Sequence, residues 1–287
     1  MKKIGILILT LLVVPFTTVS AESNSFYVNN NNISMTEEQY NYLLNFYSPT
    51  YITTMSQSRF DQEINKNLVL ESVDQKYIKT ITHKGLNGEI ISNDYEITEE
   101  EYENPITTYA TCESATAIDC WETNYKKLEL FVWIDSDDST SVRIVLINRW
   151  KVMPTVRSYD VIGVRYNNYT AYDAWGEQNV YITSSGYTGI QYAYGVENMS
   201  IQSNGIGISQ NIVNNYDLYD LSNRLCIDGH TTSSSLGIYG SYQHATSDVT
   251  LGQSKNYTFG NGLGGVFSFN AGIGSKYDNT RGVSYVY

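Results

Sequence analysis

A chain of 287 residues with a formal net charge of -12 has room for one large domain or two small ones. That acidity argues against nucleic acid or anionic lipid as a default partner. The 26 tyrosines and only 4 prolines lean toward pleated, half-buried surfaces.

Lys2 and Lys3 open the chain, an uncharged and mostly apolar run follows from Ile4 to Phe16, and Val19-Ser20-Ala21 supplies small residues. That order of parts predicts a secretory signal peptide cleaved after Ala21. The run has 13 residues (4 through 16), fewer than the ~20 a membrane-crossing helix needs. Cleavage leaves 266 residues (287 minus 21), and removing two leader lysines takes the charge from -12 to -14. The charge is uneven: residues 22–110 hold 14 acids and 5 bases, residues 111–287 hold 16 and 11. The expected organisation is therefore an acidic N-terminal module at 22–110, a helix pair plus a β-hairpin, followed by an antiparallel β domain at 111–287.

In the front module, two overlapping capping boxes, Ser34 with Glu37 and Thr36 with Gln39, precede Tyr40, Leu43, Leu44 and Tyr47 at helical spacing. Ser48-Pro49 is expected to stop this helix. A second begins at Met55-Ser56, with Phe60 and Ile64 one turn apart. Tyr77 to Thr82 alternates like a strand, Asn87-Gly88 supplies a hairpin turn, and Glu89 to Ile97 returns. The acidic run Thr98 to Glu103 is expected to be a solvated face or linker.

Cys112 and Cys120 are close in sequence, and an oxidising compartment makes them the expected disulfide. A loop of about nine residues closed this way restricts the unfolded chain by roughly 2.5 kcal/mol. Cys226 is left unpaired.

Beyond Cys120 the pattern is antiparallel β almost throughout. Leu128, Leu130, Val132 and Ile134 share one face, Asp135 to Ser139 makes a polar turn, and Val142, Ile144, Leu146 and Trp150 return, interrupted by Asn148. Further strands are expected at 158–166, 180–183, 189–194, 206–212, 225–227, 236–242, 257–259, 266–269 and 283–287. Glycines within these strands imply bulges or close backbone contact. The fold class is thus mainly β: an antiparallel β-sandwich or barrel-like C-terminal body behind a small acidic α+β N-terminal module.

Chemical motifs are sparse. Cys226, Asp228 and His230 share one strand face, but catalytic triads assemble from distant segments, and Asp-Gly is an ordinary turn pair. His83 and His244 stand alone, and no zinc-protease or nucleophile-elbow pattern occurs. Gly260 to Gly265 lies between strand-like segments, so it reads as a hairpin connection and not as a phosphate loop. Asp135, Asp137 and Asp138 are weak candidates for Ca²⁺, since their segment lacks the glycine and distal glutamate of an EF-hand loop. Tyr172 and Trp175 are rings that can stack on sugars or form core. No catalytic residue and no cofactor is assigned. The expected protein is secreted and extracellular, non-enzymatic, and binds a cell-surface or extracellular macromolecule, carbohydrate being one candidate. The rival readings are a membrane-active, pore-forming or bacteriocin-like protein with an acidic pro-segment, a secreted hydrolase with dispersed carboxylates, and an outer-membrane barrel, which the many polar breaks fit poorly.

Overall fold

The computed structural model describes residues 26–85, 90–105, 119–182, 188–212, 218–260, 266–270, 272–278 and 282–287, with only the backbone given at 119–122 and 188–192. The expected leader, its cleavage point at Ala21, Cys112 and the Asn87-Gly88 turn lie outside these residues. The Cys120 side chain does too, so the expected disulfide is not among the described features.

The front segment opens with two short paired strands, β1 (Tyr27–Val28) and β2 (Ser34–Met35), then α1 (Glu37–Leu44), α2 (Pro49–Thr54) and α3 (Gln57–Ile64). Helix α1 uses the second of the two capping boxes: the Gln39 N–H donates to Thr36 Oγ1 at 3.2 Å, and the Thr36 N–H donates to Gln39 Oε1 at 2.9 Å. Helix α1 ends at Leu44, capped by Asn45, ahead of Ser48-Pro49, which starts α2 instead of stopping α1. Proline is tolerated at the first helical position because its missing N–H would have no intrahelical partner there. Ser48 Oγ accepts the Tyr51 N–H at 3.2 Å.

Strand β3 (Leu68–Lys84) runs nine residues further toward the N-terminus than the alternation at Tyr77 implies, and pairs with β4 (Ile90–Ile97). The acidic run folds as the short helix α4 (Glu99–Glu103), capped by Thr98, with three glutamates in the first turn, where the helix dipole favours negative charge. Its Tyr102 packs against Tyr77 and Tyr125. The body then supplies β5 (Asp119–Asp135), β6 (Ser141–Val152), β7 (Tyr159–Asn167), β8 (Tyr169–Ile182), β9 (Thr188–Tyr194), β10 (Met199–Gln202) and β11 (Gly205–Asn211). It ends with β12 (Leu218–Thr231), β13 (Gly237–Gln243), the single turn α5 (Leu251–Ser254), β14 (Tyr257–Phe259), β15 (Phe267–Phe269) and β16 (Val283–Val286).

Two antiparallel sheets face each other. One is seven-stranded in the order β4-β3-β5-β6-β12-β8-β9, the other five-stranded in the order β10-β11-β7-β13-β16. The expected boundary at 110/111 falls outside the described residues; across it, β3 of the front segment and β5 of the body are neighbours in one sheet, paired from Leu68↔Asp135 to Lys84↔Asp119. The predicted alternation sets the core between the sheets. Leu128, Leu130, Val132, Val142, Ile144, Leu146 and Trp150 meet Ile162, Val164, Ile206, Ile208 and Ile238 there, all buried.

Each sheet is also covered on its outer face. The front helices place Leu43, Phe46, Tyr47, Ile52, Met55 and Phe60 over Val145, Ile147 and Cys226 of the seven-stranded sheet. Strand β6 is therefore buried on both faces, which explains its unbroken apolar run Ile144-Val145-Leu146-Ile147. On the five-stranded sheet, Tyr257, Phe259, Val266 and Tyr277 cover Val161. This contact needs glycine. A Cβ on Gly163 would lie 2.5 Å from Phe267 Cζ, and one on Gly207 would lie 2.2 Å from Tyr257 Oη. The two glycines are cross-strand partners, so the aromatic hairpin β14–β15 sits directly on bare backbone.

Candidate functional site

An open cleft of about 550 Å³ lies at the end of the sandwich where the β5–β6 turn, the β12–β13 connection and β16 converge. Ser139, Thr140, Thr231, Thr232, Ser233 and Ser234 line it, with Glu71 as its charged residue, Tyr285 and Tyr287 as its rings, and Ile134, Val142 and Leu236 as its aliphatic part. The walls are built by short turn bonds. The Thr231 N–H donates to Thr140 O at 2.8 Å, the Thr232 N–H to Asn168 O at 2.8 Å, and the Tyr287 N–H to Leu236 O at 2.9 Å. Asn168 adopts φ 53°, a left-handed turn conformation that asparagine tolerates, and its Nδ2 donates to Ser235 O at 2.6 Å. The tyrosine wall is held from the other sheet: Asp74 Oδ2 of β3 accepts the Ser284 N–H at 2.7 Å.

The aspartates of the β5–β6 turn are occupied in shaping it. Asp135 Oδ1 accepts the Asp137 N–H at 3.0 Å, and Asp137 Oδ2 accepts from Asn67 Nδ2. Asp138 Oδ1 accepts the Thr140 hydroxyl at 2.7 Å and its N–H at 3.0 Å, which holds the Asp138 carboxyl below its ordinary value. Among the described residues no group of three or more His, Cys, Asp or Glu side chains could hold a metal ion.

Cys226, Asp228 and His230 do share one face of β12, yet they meet different neighbours. The buried Cys226 thiol approaches Phe46 O at 3.6 Å, and burial pushes its pKa up, away from a reactive thiolate. Asp228 is committed to Arg143, which donates from Nε at 2.6 Å and Nη2 at 2.7 Å. The same guanidinium grips Glu63 of α3 at 2.5 and 3.1 Å, and Lys66 reaches Asp228 at 2.8 Å. Burial raises the Glu63 and Asp228 carboxyls, but Arg143 outweighs it and both sit below their ordinary values. His230 is exposed and lies with its ring 5.1 Å from that of Tyr172. The cluster is an ionic bolt fixing the front helices to the sheet. Trp175 belongs to the same layer, stacked at 5.4 Å on Tyr47 beneath Arg59, whereas Tyr172 remains 55% exposed.

A second buried cluster joins the sheets at the opposite end. Asp160 of β7 accepts from His244 Nδ1 at 3.0 Å, from the Ala245 N–H at 2.9 Å and from the Tyr242 hydroxyl. Lys126 of β5, fully buried, pairs with Asp278, whose other oxygen accepts the His244 N–H at 2.9 Å. Asp160 holds His244 as an orienting carboxylate holds a catalytic imidazole, but both are enclosed within the fold at 1% exposure or less. This cluster was not foreseen from the residues. The available signal was phase: Lys126 and Asp160 fall on the inward, apolar positions of alternating strands.

His83 is buried, and its β3 position is in register with Cys120 on β5. No helix among the described residues is long and apolar enough to cross a membrane. No protein-family model matches the chain, and no curated protein matches it by sequence.

Proposed function

We propose that the protein is a secreted, non-catalytic binding protein that takes a neutral, hydroxyl-rich ligand, an extracellular or cell-surface carbohydrate, in the cleft bordered by Tyr285 and Tyr287. The observation that carries this reading is the lining: six serine and threonine residues, two tyrosines and one carboxylate, beside the aliphatic Ile134, Val142 and Leu236, in about 550 Å³. Hydroxyls donate and accept at once, matching the hydroxyls of a sugar. Tyrosine adds an apolar face with a polar tip for the ring of the saccharide. The volume falls within the range of ligand pockets, ~300–1,000 Å³. A net charge of -12 favours neutral over anionic polymers.

The test is titration calorimetry of the mature chain against a panel of neutral oligosaccharides. Tyr287→Ala, at a side chain 72% exposed, weakens binding at least tenfold, about 1.4 kcal/mol, with an unchanged melting temperature. Ser233→Ala acts in the same direction. Absence of any neutral-glycan binding, or binding indifferent to both substitutions, overturns the reading. Release of shortened glycans from the same mixtures would favour the hydrolase instead.

A further inference from the structure

One cross-strand row on the core-facing side of the seven-stranded sheet breaks the apolar pattern in three adjacent strands. Asn148 of β6 is in register with Asn223 of β12, and Asn223 with Gln178 of β8. All three are 0% exposed. The rows on either side are apolar, with Leu146 and Leu225 to one side and Trp150, Leu221 and Val180 to the other. From the facing sheet, the buried Gln210 accepts from Asn223 Nδ2 at 2.8 Å, and its own Nε2 donates to Glu177 O at 3.1 Å. This leaves five amide atoms without a hydrogen-bond partner: Oδ1 and Nδ2 of Asn148, Oε1 and Nε2 of Gln178, and Oδ1 of Asn223. Each such atom carries the full penalty of lost hydration, and a domain's net stability cannot absorb five of them in one place.

The chemistry of the row selects its occupant. Three carbonyl oxygens and two amide NH₂ groups present acceptors and donors side by side without net charge. An anion would face the oxygens and a cation the NH₂ groups; a hydroxyl satisfies both. A buried water makes about three hydrogen bonds, so two hydroxyl-type oxygens serve five atoms. Neighbouring strands are ~4.8 Å apart, so Asn148 and Gln178 each stand about one strand spacing from Asn223, which lies between them in the row. We infer that the Asn148–Asn223–Gln178 row is an internal binding site for two neutral hydroxyl oxygens, supplied by a pair of ordered waters or by one small vicinal diol. The site is separate from the cleft and does not depend on the carbohydrate reading.

The experiment is a crystal structure at a resolution that orders internal waters, from protein handled without polyols and from protein refolded in 1,2-ethanediol. Two discrete peaks between the amides in both crystals assign waters; one elongated peak only in the second assigns the diol. Either supports the site. In the Gln178→Met variant at least one peak is lost. In solution, the Asn148 and Gln178 side-chain NH₂ resonances show water cross-peaks if waters occupy the row. Amides closed directly onto each other or onto the backbone, with no density between them in either crystal and no water cross-peaks, overturn the inference.

Discussion

Replacing Arg143 with methionine tests whether the front helices are bolted to the sheet by charge. The Arg143 side chain is 0% exposed and makes four bonds of 2.5 to 3.1 Å to Glu63 and Asp228. Without it, the two carboxylates keep Lys66 and the partly exposed Arg59 as nearby cations. Removing one partner of a buried ion pair costs about 3–5 kcal/mol, mostly through the charge left behind. At ~2–4 °C per kcal/mol for a chain of this size class, the melting temperature falls by ~6–20 °C. The pH dependence gives the sharper test. Glu63 and Asp228 titrate below their ordinary values when folded, so their contribution is complete above about pH 4.5 and disappears as pH falls through the folded values. The gap between wild type and Arg143→Met, measured by urea unfolding, is therefore widest at pH 7 and narrows as pH falls through the folded values of the two carboxyls. Adding Glu63→Gln and Asp228→Asn recovers most of the loss, because no charge remains unpaired. A loss under about 1 kcal/mol at pH 7, or no recovery in the triple variant, refutes the reasoning.

Glu177 runs in the opposite direction: burial dominates, Arg224 and the Ser48 N–H offset it in part, and its pKa is raised. A raised folded value means stability present at low pH and lost as pH rises through it. Glu177→Gln, which keeps an acceptor for the Ser48 N–H, therefore raises the urea midpoint at pH 7 and leaves it unchanged near pH 4. Gly207→Ala puts a Cβ 2.2 Å from Tyr257 Oη and 3.3 Å from Phe267 Cε1. It costs about 1–3 kcal/mol by calorimetry, the range for forcing extra atoms into a packed layer. Gly252→Ala, with nothing within 4 Å of its new Cβ in α5, is the control and brings no loss of stability.

The two buried ion clusters share a design. Arg143 with Glu63 and Asp228 secures the helical layer, and Lys126 with Asp278 secures the C-terminal layer. Both outer layers also rest on apolar contacts. Moving either layer away would separate a buried cation from a carboxylate it pairs with.

Local pattern alone determined the mainly β class, the antiparallel strand phase from Leu128 to Trp150, the Thr36–Gln39 capping box of α1, and the polar β5–β6 turn. Those features depend on alternation and on side chains within a few residues of each other. Tertiary structure decided the rest. Strand β8 extends over Tyr169–Ile182 because it pairs with β12 along most of its length, although its own residues alternate poorly. Strand β3 joins the body's sheet through β5, an association no local spacing encodes. Asp228 gained its role from Arg143, 85 positions away in sequence, and Asp160 from His244, 84 away. The cleft forms only where β3, the β5–β6 turn, the β12–β13 connection and β16 converge. Hydrogen bonds between residues so far apart depend on how strands are ordered in the two sheets, and that order, like the burial of both faces of β6, is a property of the whole molecule.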